Sequence, residues 1–140
     1  MIGSRDGLPT GVLRELDATA AAAAGNTGMR LCLAINYGSR GEIVAAARTL
    51  ADEVAAGTLH SADIDEATFA ARLDTAGMPD PDLVIRTAGE MRLSNFLLWQ
   101  FSYAELHVSQ RCWPEFRRDD YVAALRDFAV RDRRYGGLKE

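Results

Sequence analysis

The stretch Asp82–Gln100, DLVIRTAGEMRLSNFLLWQ, contains the most specific pattern in this chain. It begins with an apolar run that is typical of a buried strand, and a loop with Arg86, Gly89, Arg92 and Ser94 follows directly. Guanidinium groups bind phosphoryl oxygens bidentately, a glycine lets backbone N–H groups come close, and a serine can donate where a helix begins. The stretch therefore predicts a diphosphate site at the end of a strand.

The same spacing has a plainer interpretation. Two arginines near the end of a strand, here Arg86 and Arg92, are also expected when both are solvated or paired with Glu90. The spacing alone favours neither interpretation.

Length and composition restrict the function classes. The chain has 140 residues, which fits one domain, residues 1–140, with 48% hydrophobic and 26% charged residues. Its formal charge of −4 argues against a nucleic-acid binder, which normally carries a basic excess. A phosphate site on this acidic chain must be a local arginine cluster.

Two further features bear on location and metal chemistry. No stretch approaches the ~18 apolar residues of a membrane span, and Met1–Arg5 does not resemble a signal peptide, so a cytoplasmic protein is expected. Cys32 and Cys112 lack the spacing of zinc ligands, and we expect both to be unpaired, buried and reduced.

Apolar runs and breaker residues divide the chain into alternating helices and strands. The predicted helices are Val12–Ala24, Ile43–Ala56, Asp63–Asp74, Leu93–Phe101 and Arg118–Arg133, and the predicted strands are Met29–Tyr37, Asp82–Ile85 and Glu105–Val108. The predicted buried stripe of the second helix is Val44, Ala47, Leu50, Ala51 and Val54. The first two strands lack polar alternation, which predicts an α/β fold with an open, mostly parallel sheet flanked by helices.

The arginine loop also resembles a known family. Its pattern Arg-Thr-x-Gly-Glu-x-Arg-x-Ser-Asn-Phe is similar to the signature of the cis-prenyltransferases, the undecaprenyl diphosphate synthase family. The resemblance extends from the first residue to Gly137 and implies the C-terminal part of that fold. It also implies that Arg86, Arg92 and Ser94 hold the diphosphate of isopentenyl diphosphate, the five-carbon donor.

Two other matches concern Glu105 and the C-terminus. Glu105 matches the family's magnesium-associated glutamate, which implies Mg²⁺ as cofactor, whereas an exposed glutamate at a sheet edge is the alternative. Arg134 and Gly136 match an Arg-x-Gly motif that binds diphosphate in the partner's site of a homodimer. A basic helix end followed by a capping glycine explains that motif equally simply.

The segment Asn36–Arg40 resembles the family's Asn-Tyr-Gly-Gly-Arg motif. Asn36 and Arg40 are therefore supporting candidates, although a tight turn that caps a helix is the better interpretation of this segment. Trp99 and Phe101 are expected in the core or at a two-fold subunit contact.

The family's Asp-Gly-Asn-Arg-Arg-Trp and Phe-Ser-x-Glu-Asn-Trp segments have no match in this sequence. No catalytic residue is therefore expected, and the N-terminal strands and catalytic loop are expected to be missing. The resemblance implies an isoprenyl transferase that condenses isopentenyl diphosphate onto an allylic diphosphate, here in a truncated form that is inactive alone. The alternatives are the donor-site subunit of a split or heteromeric enzyme and a non-catalytic diphosphate-binding scaffold. Membrane contact is expected to be at most peripheral, through lipid product.

Overall fold

The computed structural model describes residues 1–133, which form an α/β fold. The chain divides into two compact units, Met1–Gly77 and a second that begins at Met78. The elements are α1 (Thr10–Ala23), α2 (Ser39–Ala55), α3 (Glu66–Ala70), β1 (Leu83–Arg86), β2 (Glu105–Val108) and α4 (Arg118–Ala129). Single 3₁₀ turns lie at Ser61–Asp63 and Trp113–Glu115. Organisation as one domain stays a prediction, and no helix among residues 1–133 is long and apolar enough to cross a membrane.

In the second unit, β1 and β2 form a parallel pair, as their apolar composition predicts. The paired residues are Leu83 with Glu105, Val84 with Leu106, Ile85 with His107 and Arg86 with Val108. Paired residues point to the same face of a sheet, and successive residues of a strand alternate between the faces. Arg86 and Glu105 therefore lie on opposite faces.

Helix α4 packs against the face that carries Glu105 and His107. The His107 Nδ1 atom lies 2.8 Å from a carboxylate oxygen of Asp127, and Arg131, just beyond the helix, donates to Glu105 at 2.9 Å. The helix begins at Arg118 because the Asp120 carboxylate accepts from the Arg117 N–H at 2.8 Å. It ends at Ala129 rather than at Arg133 as predicted. Beyond the helix, Arg131 donates to the carboxylate of Glu105, and Arg133 donates to that of Asp82.

The predicted helix Leu93–Phe101 is wrong, because this segment forms successive turns. Ser94, Asn95 and Leu97 have φ angles of 58°, 57° and 45°, in the left-handed region that a right-handed helix excludes. The apolar run has no polar face to guide a surface helix. The turns bring the rings of Phe96 and Phe101 together edge to face, with centroids 5.7 Å apart.

In the first unit, the buried face of α2 differs from the predicted stripe of Val44, Ala47, Leu50, Ala51 and Val54. The buried residues are Ser39, Glu42, Ala46 and Leu50, so Leu50 alone belongs to both sets. The Glu42 carboxylate accepts from the backbone N–H of Asp74 at 2.9 Å and from the Tyr37 hydroxyl at 2.5 Å. These bonds compensate for the burial of a charge, which the hydrophobic pattern could not show.

The run Met29–Tyr37 is not the buried strand that its composition predicts. Met29 is 93% exposed and Leu31 75% exposed. The run pairs at one parallel bridge, where Ile2 donates to the Leu33 carbonyl at 2.9 Å and accepts from the Ile35 N–H at 3.1 Å. Ile2 is the only bridge partner of this run within the described part of the chain, and the Ser4 N–H adds one backbone bond, to the Asn36 carbonyl at 3.3 Å.

Two smaller predictions also differ from the structure. The third helix, α3, is shorter than the predicted Asp63–Asp74: Asp65 caps it by accepting from the Thr68 N–H at 2.7 Å, and turns follow Ala70. Cys32 and Cys112 are unpaired as predicted but exposed rather than buried. Cys32 is exposed because the run Met29–Tyr37 that carries it is itself exposed.

Candidate functional site

A cavity of about 410 Å³ opens at the carboxyl end of β1, within the second unit. Its lining residues are Val84, Ile85, Arg86, Thr87, Ala88, Glu90, Arg92, Leu93, Phe96, Phe101 and Leu106. Val84, Arg86 and Leu106 belong to the face of the sheet opposite α4. The cavity therefore joins a charged rim to an apolar wall that includes two aromatic rings.

Arg86 ends β1 and is the most constrained of the cavity's charged side chains. Its side chain is 26% exposed, and its Nε atom is buried with no hydrogen-bond partner among the described residues. A buried guanidinium N–H without an acceptor is costly. Arg86 also lines the cavity, and its diphosphate role stays a prediction.

Glu90 bridges the two arginines. Its Oε2 atom accepts from Arg86, and its Oε1 atom accepts from Arg92 at 2.5 Å. The hydrogen bond from Arg86 lowers the pKa of Glu90 below its ordinary value, and Arg92 adds to this effect, while burial opposes it. The ion-paired interpretation of the arginines is thus confirmed. It does not exclude a phosphate role, since each guanidinium has five N–H donors.

The glycine of the loop has a different role from the one predicted. Ala88 and Gly89 both have positive φ angles, 63° and 67°, and their N–H groups donate to the carbonyls of Arg111 and Ser109 at 2.8 and 2.9 Å. These N–H groups are therefore occupied within the protein, and the expectation that Gly89 opens them to a ligand is wrong. A Cβ at Gly89 would lie 2.6 Å from the Gln110 Oε1 atom. The glycine allows the loop to pack against the chain that follows β2, and this packing places Glu90 beside Arg86.

Ser94 is exposed, has a left-handed backbone and is not among the residues that line the cavity. No helix begins there, so the predicted donation from a helix start does not occur. A ligand role for Ser94 stays a prediction.

Glu105 lies on the other face of the sheet from Arg86, about 10 Å away along the strand direction, since three residues separate it from the level of Arg86. Its Oε2 atom accepts from Arg131, which also donates to Asp127 at 2.6 Å. The bond to Glu105, followed by the bond to Asp127, raises the pKa of Arg131 above its ordinary value. The hydrogen bond with His107, and then that with Arg131, lowers the pKa of Asp127.

These contacts test whether the structure fits a magnesium ion. The described residues contain no group of three His, Cys, Asp or Glu side chains that could hold a metal. Glu105 offers a single carboxylate, and Arg131 already binds it. Among the described residues Glu105 and Arg86 do not face one shared site, and the magnesium role of Glu105 stays a prediction.

The remaining predicted residues lie elsewhere. Asn36 and Arg40 belong to the first unit. Asn36 has a φ of 49° and donates to the Asp6 carbonyl at 3.1 Å, and Arg40 lies in the first turn of α2, which agrees with the turn interpretation of this segment. Arg134 and Gly136 lie outside the described residues, so their predicted role is untested.

The sequence pattern missed several residues of the cavity. Leu93, Phe96, Phe101 and Leu106 form its apolar wall, whereas the sequence assigned Phe101 to the core or a subunit contact. Their position depends on the left-handed turns after Arg92, for which only the Ser-Asn pair gives a local signal.

Comparison with known proteins identifies the family of this chain. Residues 1–136 match the family model described as "Putative undecaprenyl diphosphate synthase". The isoprenyl transferase of Rhodopirellula baltica is 52% identical over 137 residues, which are 98% of this chain and 56% of that protein. The isoprenyl transferase of Bacillus subtilis is 46% identical over 138 residues, 99% of this chain and 53% of that protein.

Two solved structures are also similar. The crystal structure of lavandulyl diphosphate synthase from Lavandula x intermedia, in complex with dimethylallyl diphosphate, matches with a TM-score of 0.92 and 41% identity, covering 96% of this chain and 58% of that one. A probable undecaprenyl diphosphate synthase from Campylobacter jejuni matches with a TM-score of 0.78 and 29% identity, covering 96% and 61%. The chain spans a little more than half the length of these curated relatives. Because the family model covers nearly all of its sequence, the chain belongs to the undecaprenyl diphosphate synthase family of cis-prenyltransferases.

Proposed function

We propose that this chain binds isopentenyl diphosphate through Arg86 and Arg92, as the donor-binding part of a cis-prenyltransferase. The observation that supports this most is that Arg86 and Arg92 lie together in the lining of a cavity of about 410 Å³ whose other walls are largely apolar. The proposal applies to this chain the substrate class that its family implies.

The two parts of the cavity suit the two parts of this ligand. The arginines supply charge-assisted donors for the diphosphate oxygens. Leu93, Phe96 and Phe101 supply apolar surface for the five-carbon chain. Binding at both ends would fix which carbon of the donor points out of the cavity.

In the proposed reaction, the isopentenyl double bond attacks the allylic carbon, the allylic diphosphate leaves, and loss of a proton gives a Z-alkene. The residues of this cavity bind and orient the donor. Arg86 and Arg92 hold its diphosphate, and the aromatic rings keep water from the alkene. No step of this proposal goes through a metal, and the magnesium role of Glu105 stays a prediction.

We further propose that the 140-residue chain makes no prenyl product by itself, because its sequence contains no Asp-Gly-Asn-Arg-Arg-Trp segment. The assay is incubation of the purified chain with isopentenyl diphosphate, an allylic diphosphate and Mg²⁺. Condensed product from pure protein would contradict this part of the proposal.

A second candidate is the donor-site subunit of a heteromeric prenyltransferase. The exposed Met29 and Leu31 favour it, because an apolar run with open edges can pair with another polypeptide. Co-expression with a polypeptide that carries the Asp-Gly-Asn-Arg-Arg-Trp segment would then yield an active complex. Failure of the two to copurify would contradict this candidate.

Calorimetric titration with isopentenyl diphosphate tests the main proposal. A charge-assisted hydrogen bond contributes about 1.5–3 kcal/mol, so Arg92→Ala should weaken binding roughly ten-fold or more. Arg126→Ala is the matched control, because Arg126 is exposed on α4 and carries the same charge. Equal affinity of wild type and Arg92→Ala would contradict the role of Arg92 in binding the diphosphate.

A further inference from the structure

The carboxylate of Glu90 presents its two oxygens to Arg86 and Arg92 in the way that a phosphoryl group would. One oxygen accepts from each guanidinium, so a single anionic group spans both arginines. Phosphoryl oxygens on one phosphorus offer the same arrangement of acceptors. Glu90 therefore resembles the proposed ligand in charge sign and in the spacing of its acceptor atoms.

The cavity keeps a positive charge even with Glu90 bound to the two arginines. Among the described residues that line it, Arg86, Arg92 and Glu90 are the only charged ones, and their formal charges leave a net charge of one positive unit. The Glu90 side chain is 34% exposed and that of Arg92 is 63% exposed, so both can reorient toward solvent. The Arg86 side chain, at 26% exposed, is more restricted.

We propose that Glu90 is an internal competitor for the diphosphate: it holds the two guanidiniums in the orientation that the ligand requires, and the ligand displaces it. This inference rests on the proposed function of the arginine pair. Glu90 would thus be a specificity-determining residue, which touches the arginines in the unliganded protein and leaves them when the ligand binds.

A tethered competitor selects ligands by charge. Because Glu90 is attached to the same loop, its effective concentration at the arginines is high, and an anion with fewer charges than a diphosphate, such as sulfate, gains little by replacing it. A diphosphate carries several charges and more acceptor oxygens, so it competes successfully. Glu90 is then expected to lower the affinity for all anions while excluding weakly charged ones.

Calorimetry with inorganic diphosphate and with sulfate tests the proposal on wild type, Glu90→Gln and Glu115→Gln. Glu115 is the matched control, since it is an exposed glutamate of the same unit whose change alters the net charge equally. Removing the competing charge should tighten diphosphate binding roughly three- to ten-fold at about 0.05 M salt, and much less at about 0.5 M salt. Sulfate binding should also become measurable in Glu90→Gln, and circular dichroism checks that each variant is folded.

The outcomes separate this inference from the proposed function. Affinity for diphosphate that is equal or lower in Glu90→Gln, while Arg92→Ala still weakens binding, would overturn the competitor role and leave the arginine site standing. Glu90 would then act as a retained positioning residue. Failure of both wild type and Glu90→Gln to bind diphosphate would overturn both proposals. A second variant, Glu90→Ala, should also raise the affinity for diphosphate. A lower affinity in both variants would contradict the competitor role.

Discussion

Replacing Glu105 with glutamine tests whether the two faces of the sheet have separate roles, one in stability and the other in diphosphate binding. In the structure the Glu105 carboxylate accepts from Arg131 at 2.9 Å, and the two side chains are 30% and 27% exposed. Glutamine keeps the shape and an acceptor oxygen but removes the charge. A partly exposed ion pair of this kind contributes about 0.5–1 kcal/mol, so the variant should unfold roughly 2–3 °C below wild type.

The same substitution should leave diphosphate affinity unchanged in metal-free buffer, within about two-fold. Glu105 and Arg86 occupy opposite faces, and the affinity depends on the cluster around Arg86. Differential scanning calorimetry gives the Tm, and isothermal titration with inorganic diphosphate in the presence of a chelator gives the affinity. Glu115→Gln is the control for the loss of one negative charge.

A large fall in metal-free affinity with an unchanged Tm would refute this reasoning, because it would place Glu105 in the diphosphate site. Repeating the titration with Mg²⁺ addresses the magnesium prediction separately. A loss of affinity in Glu105→Gln that appears only with Mg²⁺ would support the metal role that the family resemblance implies.

Two further substitutions test the loop and the α4 contact. Gly89→Ala should destabilise the protein by about 1–2 kcal/mol in urea unfolding, because φ at this position is 67° and the added Cβ would meet Gln110; unchanged stability would contradict the loop geometry. The pKa of Asp127 is lowered in the folded state. Its contacts therefore stabilise the folded protein fully at pH values above the ordinary carboxyl pKa of about 4. This stabilisation is lost as the pH falls through the lower pKa of the folded state. Asp127→Asn should therefore flatten the loss of stability between about pH 5 and about pH 2, measured as Tm against pH, and a curve parallel to that of wild type would contradict the role assigned to Asp127.

The elements that the sequence predicted best are those with strong local patterns. The apolar run before Arg86 and the run from Glu105 to Val108 form the two strands, and the acidic start after Arg117 marks the first turn of α4. The arginine cluster was found for the same reason, because its residues lie within a few positions of each other on one loop.

Other features depend on partners that no local pattern contains. The opposite faces of Arg86 and Glu105 follow from the register of β1 with β2, which a single sequence does not fix. The buried face of α2 includes Glu42, and its hydrogen-bond partners Tyr37 and Asp74 lie on separate segments. Hydrophobicity alone assigns such a glutamate to solvent.

The predicted strand Met29–Tyr37 shows a different limit. Its composition favours burial, but burial requires neighbouring strands, and in the described chain Ile2 and Ser4 alone make backbone bonds across to it from another segment. The composition of a strand therefore predicts what the strand can bury and leaves open whether a partner is present.

The most direct test of the central claim is the affinity of Arg86→Lys for isopentenyl diphosphate. Lysine keeps the positive charge but lacks the Nε donor and the planar fork of arginine. If the guanidinium fork of Arg86 binds the diphosphate, calorimetry should show binding weakened by roughly ten-fold or more, while the exposed control Arg126→Lys binds as wild type does. An affinity of Arg86→Lys equal to that of wild type would contradict the account, because charge alone would then explain the site.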